Sequence, residues 1–121
     1  MRQRVAAHFI WYKQALRLHY VERDAKGLLT GVFPLEQEIA STAFLDGVIV
    51  VFPSPLPFES VEECLSHWQL LSEGIKEGDE VTLVHLQGLP AASARLGRYD
   101  GEEKNKSANL TAHASYNLSF L

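Results

Sequence analysis

The run Val48-Ile49-Val50-Val51-Phe52, stopped by Pro53, constrains the fold of this chain more than any other stretch. A half-exposed strand alternates apolar with polar residues. An unbroken apolar, mostly β-branched run belongs to a strand covered on both faces. Thr42-Ala43-Phe44-Leu45 leads into it through Asp46-Gly47. Asp-Gly between apolar runs is the strongest short-range hairpin signal, because both central residues of a type I′ turn need positive φ. The sequence therefore predicts a hairpin turning at Asp46-Gly47, with the rest of the chain arranged to cover its second arm twice.

The N-terminal third supplies further strands. Arg4 to Lys13 places Val5, Ala7, Phe9 and Trp11 on one face and Ala6, His8, Ile10 and Tyr12 on the other. Leu16 to Glu22 alternates, Asp24-Ala25-Lys26-Gly27 is a turn, and Leu28 to Phe33 returns antiparallel until Pro34, which has no amide hydrogen, ends the pairing. After the stiff connector Pro53 to Pro57, one helix is expected over about residues 60–73. Ser60 and Glu63 form a capping box, Val61, Cys64, Leu65, Trp68 and Leu71 recur at helical spacing, and Gly74 sits at the end. Glu80 to Gln87 reads as a strand, and Ala91 to Tyr99 as either a short strand or irregular structure. Glu102 to Asn109 reads as a solvated loop. Period-two alternation from Leu110 to Phe120 marks a final half-exposed strand. The expectation is a mainly β, α+β domain spanning residues 1–121, an antiparallel β-sandwich or partly open barrel with one helix.

Composition narrows function by exclusion. The 121 residues carry a net charge of −4 with no basic stripe, which argues against nucleic acid, where affinity comes from neutralising phosphates. Apolar residues make up 46%, so the chain is globular rather than disordered, yet no run approaches the ~20 residues of a membrane helix. The single cysteine, Cys64, lies on the apolar helix stripe and reads as a buried small hydrophobe in a reducing cytoplasm. Five histidines, His8, His19, His67, His85 and His113, show no metal-ligand spacing, although His8 and His85 lie on strands that can meet across a sheet. The paired glutamates sit in polar flanks. No phosphate loop, nucleophile elbow or Ser/His/Asp order is present, so no catalytic, metal or cofactor residue is assigned.

Two separated phrases together resemble the small β domain of the amidohydrolase superfamily. The first comprises the strand at Ala6 to Trp11, the turn Asp24 to Gly27 with Leu28-Leu29, and Phe44 to Pro53. The second is Gly74 to Leu86, a glycine turn followed by an apolar strand. In that superfamily such phrases flank a catalytic barrel and rejoin in one small domain. After the proline the family carries His-x-His, its first metal ligands; this chain has Ser54-Pro55-Leu56-Pro57. A barrel needs at least ~200 residues, whereas twenty, 54 to 73, separate the phrases here. The resemblance therefore implies the small domain without its barrel.

The leading functional expectation is a non-catalytic domain that associates with a protein partner or with itself. Trp11, Tyr12 and Tyr116 are the candidate interface residues, set against ordinary core packing. A small-molecule-binding module with a pocket between sheet and helix is the alternative, and a metal-dependent hydrolase ranks third.

Overall fold

A computed structural model describes residues 2–36, 42–99 and 117–121. The chain is mainly β. Strands β1 (Gln3–Tyr12), β2 (Gln14–Arg23), β3 (Leu29–Pro34), β4 (Thr42–Pro53), β5 (Val81–Gln87) and β6 (Asn117–Phe120) form one mixed sheet in the order β3-β2-β1-β4-β5-β6. Helices α1 (Val61–Ser66) and α2 (Trp68–Glu73) connect β4 to β5, and α3 (Ala91–Leu96) follows β5.

β1, β2 and β3 make the expected antiparallel meander, and the expected strand at β5 joins the same sheet beside β4. The predicted hairpin does not form. Asp46 and Gly47 lie inside a continuous β4, which runs parallel to β1. Pairing is therefore not antiparallel throughout. The register slips between the Ala7–Leu45 and Phe9–Val48 pairs, so β4 carries one extra residue there. Gly47, at φ 96°, supplies the positive φ of this bulge rather than of a turn.

The sheet curls without closing into a barrel. At one end the start of β3 reaches the approach to β5: Leu28 bridges Glu80, and the Leu29 and Gly78 amides donate to the Asp79 and Leu29 carbonyls, both at 2.8 Å. This curl explains the double burial of β4. Ile49 and Val51 face an inner cluster with Val5, Ile10, Val21 and Leu83, sealed by Leu29, Ile75 and Leu121. Val48, Val50 and Phe52 face the helices, packing with Trp11, Cys64, Leu65 and Trp68.

The charged side chain buried between β1 and β2 is Glu22, 5% exposed. Arg4, its cross-strand partner, donates to it at 2.9 Å, and Arg2 lies 3.5 Å away. Of the expected tail strand, Asn117 to Phe120 pairs with β5; residues 110–116 lie outside the described residues.

Candidate docking groove on the helical layer

The helical layer is built as the sequence predicts at its start. Ser60, extended at φ −106°, accepts from the Glu63 amide at 3.1 Å and caps α1. The expected single helix of residues 60–73 is instead two helices meeting at His67, where φ −123° and ψ 25° leave the helical region. Helical hydrogen bonding stops there with the His67 amide on the Cys64 carbonyl. The apolar stripe survives the break, with Cys64, Leu65 and Trp68 buried and Val61 and Leu71 half-buried.

α2 is anchored to the single-residue link between β1 and β2. The Lys13 amide donates to the buried Ser72 hydroxyl at 2.7 Å, and the Gln69 side-chain amide donates to the Lys13 carbonyl at 3.0 Å. Lys13 itself sits at φ 67°, a conformation most side chains avoid, and these two bonds hold it there. α3 is fixed by two indoles: Trp11 Nε1 donates to the Ala94 carbonyl at 3.0 Å and Trp68 Nε1 to the Gly97 carbonyl at 2.7 Å. Gly97 ends α3 in the left-handed region at φ 72°, and a Cβ there would meet the Trp68 ring at 2.7 Å. Glycine is therefore required on both counts.

Between α2 and the end of α3 lies an open groove of about 790 Å³, lined by Trp68, Leu70 and Glu73 on one side and Gly97, Arg98 and Tyr99 on the other. Leu70 is 69% exposed, and Leu96, immediately before the groove, is 60% exposed. The two sides differ in sign. Residues 59–75 carry Glu59, Glu62, Glu63 and Glu73 and no Lys or Arg; residues 87–99 carry Arg95 and Arg98 and no Asp or Glu. All six charged side chains are exposed, and none forms an ion pair among the described residues.

Of the expected interface residues, Trp11 and Tyr12 do not line this groove. Trp11 is fully buried, because its ring stacks on Trp68 and its N–H is taken by α3; it is core. Tyr12 is half-buried against the inner cluster, its hydroxyl donating to the Ile75 carbonyl at 3.3 Å. Burial, aided by Glu77 and Asp79, raises its pKa. Tyr116 lies outside the described residues. The sequence reading did not single out Leu70, Leu96 or Arg98. Leu70 carried a signal, an apolar residue off the apolar stripe of its own helix.

The histidines are dispersed. His8 packs edge-on against Phe44 with centroids 5.2 Å apart, and His85 donates from Nε2 to the Asp46 carbonyl at 2.6 Å. Nδ1 of His19 and of His67 bonds the Arg17 and Glu63 carbonyls, and His113 lies outside the described residues. Among the described residues no three His, Cys, Asp or Glu side chains gather as metal ligands. A second depression of about 420 Å³ lies beside Gln3, Arg23 and Lys26. Its arginine is committed to structure, donating to Gln3 Oε1 at 2.6 Å and to the Val81 and Leu121 carbonyls at 3.2 and 2.6 Å. Burial lowers the pKa of Arg23. No described helix is long and apolar enough to cross a membrane. No family model, curated protein or solved structure matches this chain.

Proposed function

We propose that this chain is a non-catalytic association domain of the cytoplasm whose contact face is the groove between α2 and α3. The carrying observation is the exposure of Leu70, which lines the groove, and of Leu96, just before it in the chain, at 69% and 60%, on a layer whose Leu65 and Trp68 are packed inward. Exposed leucines beside a buried aromatic floor, rimmed by charge, have the composition of a protein contact surface. The groove is open, whereas small-molecule sites enclose most of their ligand, so a polypeptide fits it better than a metabolite.

The resemblance to the amidohydrolase small domain supports the same reading. A domain of that kind normally packs against a barrel; on this reading the connection between β4 and β5, which holds α1 and α2, takes the barrel's place in the chain. The sequence after Pro53 lacks the family's His-x-His, which favours association over catalysis.

The test is a photo-crosslinking amino acid placed at Leu70 and, as a control, at exposed Lys26 in separate preparations from the producing cell. The expected result is one discrete adduct at position 70, its partner identified by mass spectrometry of the linked peptide and reproducible between preparations. Absence of an adduct at position 70, or the same adducts from position 26, overturns the proposal.

A further inference from the structure

We infer that the occupant of the groove is a second copy of this chain, docked about a twofold axis so that α2 of each protomer faces α3 of the other. The inference rests on the association reading above and adds the identity of the partner.

A twofold interface must be self-complementary, because a residue on one side meets its counterpart's partner on the other and the reverse contact occurs simultaneously. A patch of a single sign fails that requirement by repelling itself. A patch divided into an acidic and a basic half meets it, since rotation brings each half against its opposite. The charges that line the groove are divided in this way, Glu73 on one side and Arg98 on the other, while Glu59, Glu62 and Glu63 precede α2 in the chain and Arg95 lies in α3, outside the lining itself. Glu73 and Arg98 have no ion-pair partner among the described residues of their own chain.

The apolar residues follow the same division. Leu70 belongs to α2 and Leu96 to α3, and both are exposed. In the proposed dimer, rotation about an axis through the groove turns Leu70 of one copy toward the α3 side of the other, where Leu96 is exposed, and the contact occurs twice. Each copy then covers the exposed apolar surface of its partner while supplying the charges that orient it. A partner that was uniformly basic would suit the α2 side and be repelled at Arg95 and Arg98. A uniformly acidic one would have the converse problem.

The deciding experiment is sedimentation equilibrium on the full chain and four charge-reversed samples at low salt: Glu73→Arg, Arg98→Glu, their equimolar mixture, and the two substitutions combined in one chain. The wild type is expected to show a monomer–dimer equilibrium that weakens as salt rises, because exposed pairs are screened. Each single reversal should weaken dimerisation by about tenfold or more, since it places like charges together at two symmetry-related positions. The mixture should restore a heterodimer and the combined variant a homodimer, both with wild-type affinity within a few-fold. Both positions are exposed, and matching thermal melts establish that the variants are folded.

A wild type that stays monomeric up to about 1 mM, an affinity too weak to organise a dimer, overturns the inference. So does a dimer insensitive to both reversals, as pairing through the β3 or β6 edge would be, or a weakening that the mixture fails to rescue. If the crosslinker at position 70 instead joins a defined protein other than this chain, the association reading stands and the twofold dimer falls. If it joins nothing, both fall.

Discussion

Trp11 of β1 and Trp68 of α2 stack with centroids 5.1 Å apart and planes 24° from parallel, while each donates its indole N–H to a carbonyl at α3 or its end. One aromatic pair therefore joins the sheet, the helical connection and α3. Truncating a buried tryptophan removes its transfer free energy and leaves a cavity. Trp68→Ala is expected to lower stability by about 3–5 kcal/mol. Trp68→Phe keeps an aromatic ring against Trp11 but leaves the Gly97 carbonyl without its donor, at a further cost of about 1 kcal/mol on top of imperfect packing. Urea unfolding of the three proteins measures both differences. An unchanged midpoint for Trp68→Ala would remove the stack from any account of how α3 is held.

Gly47 is the position where backbone geometry tolerates least. Its φ of 96° disfavours any side chain, and a Cβ there would press into the Leu86 carbonyl of the neighbouring strand, which has no flexible end to move. Gly47→Ala is expected to destabilise by about 2–4 kcal/mol, combining positive-φ strain with a displaced β4–β5 ladder. Gly78→Ala is the control: φ is also positive, at 94°, but nothing lies within 4 Å of its Cβ. It should cost about 1 kcal/mol, the backbone term alone. Equal losses at the two glycines would mean the Leu86 contact contributes nothing.

The same residue shows where sequence reasoning stops. Asp46-Gly47 has the local chemistry of a turn, and the bulge uses the property that a turn would use, positive φ. The choice between them is made by pairing of β4 with β1, some forty positions away in the chain, which no short window contains. The double coverage of Val48 to Phe52 was legible because burial on both faces suppresses alternation within the run itself. The Ser60 cap was legible for a similar reason: donor and acceptor lie three residues apart. The break at His67 was not, since Trp68 keeps the helical spacing of the stripe on both sides of it. α3 has only six residues, with Ser93 and Ala94 buried, too short for a period to declare itself. The groove combines residues of α1 and α2 with the end of α3; the sequence marked Leu65 and Trp68 as members of an apolar stripe, but not their juxtaposition with Arg98 and Tyr99, which lie some thirty positions further on.

The Asp24 carboxylate sits at the turn between β2 and β3, where one oxygen accepts from the Leu28 amide at 3.0 Å and the Lys26 amide at 2.8 Å. Those bonds, the one from Leu28 foremost, hold its pKa below the ordinary aspartate value. A folded-state pKa depressed in this way contributes stability that is present above the unfolded value and lost as pH falls. Asp24→Ala should therefore melt below wild type at pH 7, with the gap narrowing as pH drops below about 4. Melting curves at pH 7, 5 and 3 check it. A gap that is constant across the three would assign the effect to turn propensity rather than to ionisation.

β6 is four residues long, yet the segment it begins touches both sides of the sheet. Leu118 packs with the cluster under the helices, and Leu121 packs with the inner cluster while its amide donates to the Leu83 carbonyl at 3.0 Å. Arg23 of β2 closes the arrangement by donating to the Leu121 carbonyl at 2.6 Å, which ties the β2 side of the curl to β5 and β6 across the gap that the open sheet leaves. Removing residues 117–121 would delete the two partly buried leucines and expose the cluster surface they cover, a loss of about 2–4 kcal/mol at the usual transfer free energies. It would also convert β5 into an edge strand whose sequence, VTLVHLQ, is apolar and carries no Lys, Asp, Glu or Pro to discourage pairing with another chain. Truncation should therefore lower the onset temperature of light scattering as well as the melting temperature. Arg23→Met separates the two effects. It keeps β6 on the sheet edge and releases the clasp together with the bond to Gln3, so it should cost about 1–3 kcal/mol for the unsatisfied acceptors without promoting aggregation below its own unfolding transition. A truncated chain that stays clear on heating until it unfolds would show that β6 protects no edge, and that its contribution is packing alone.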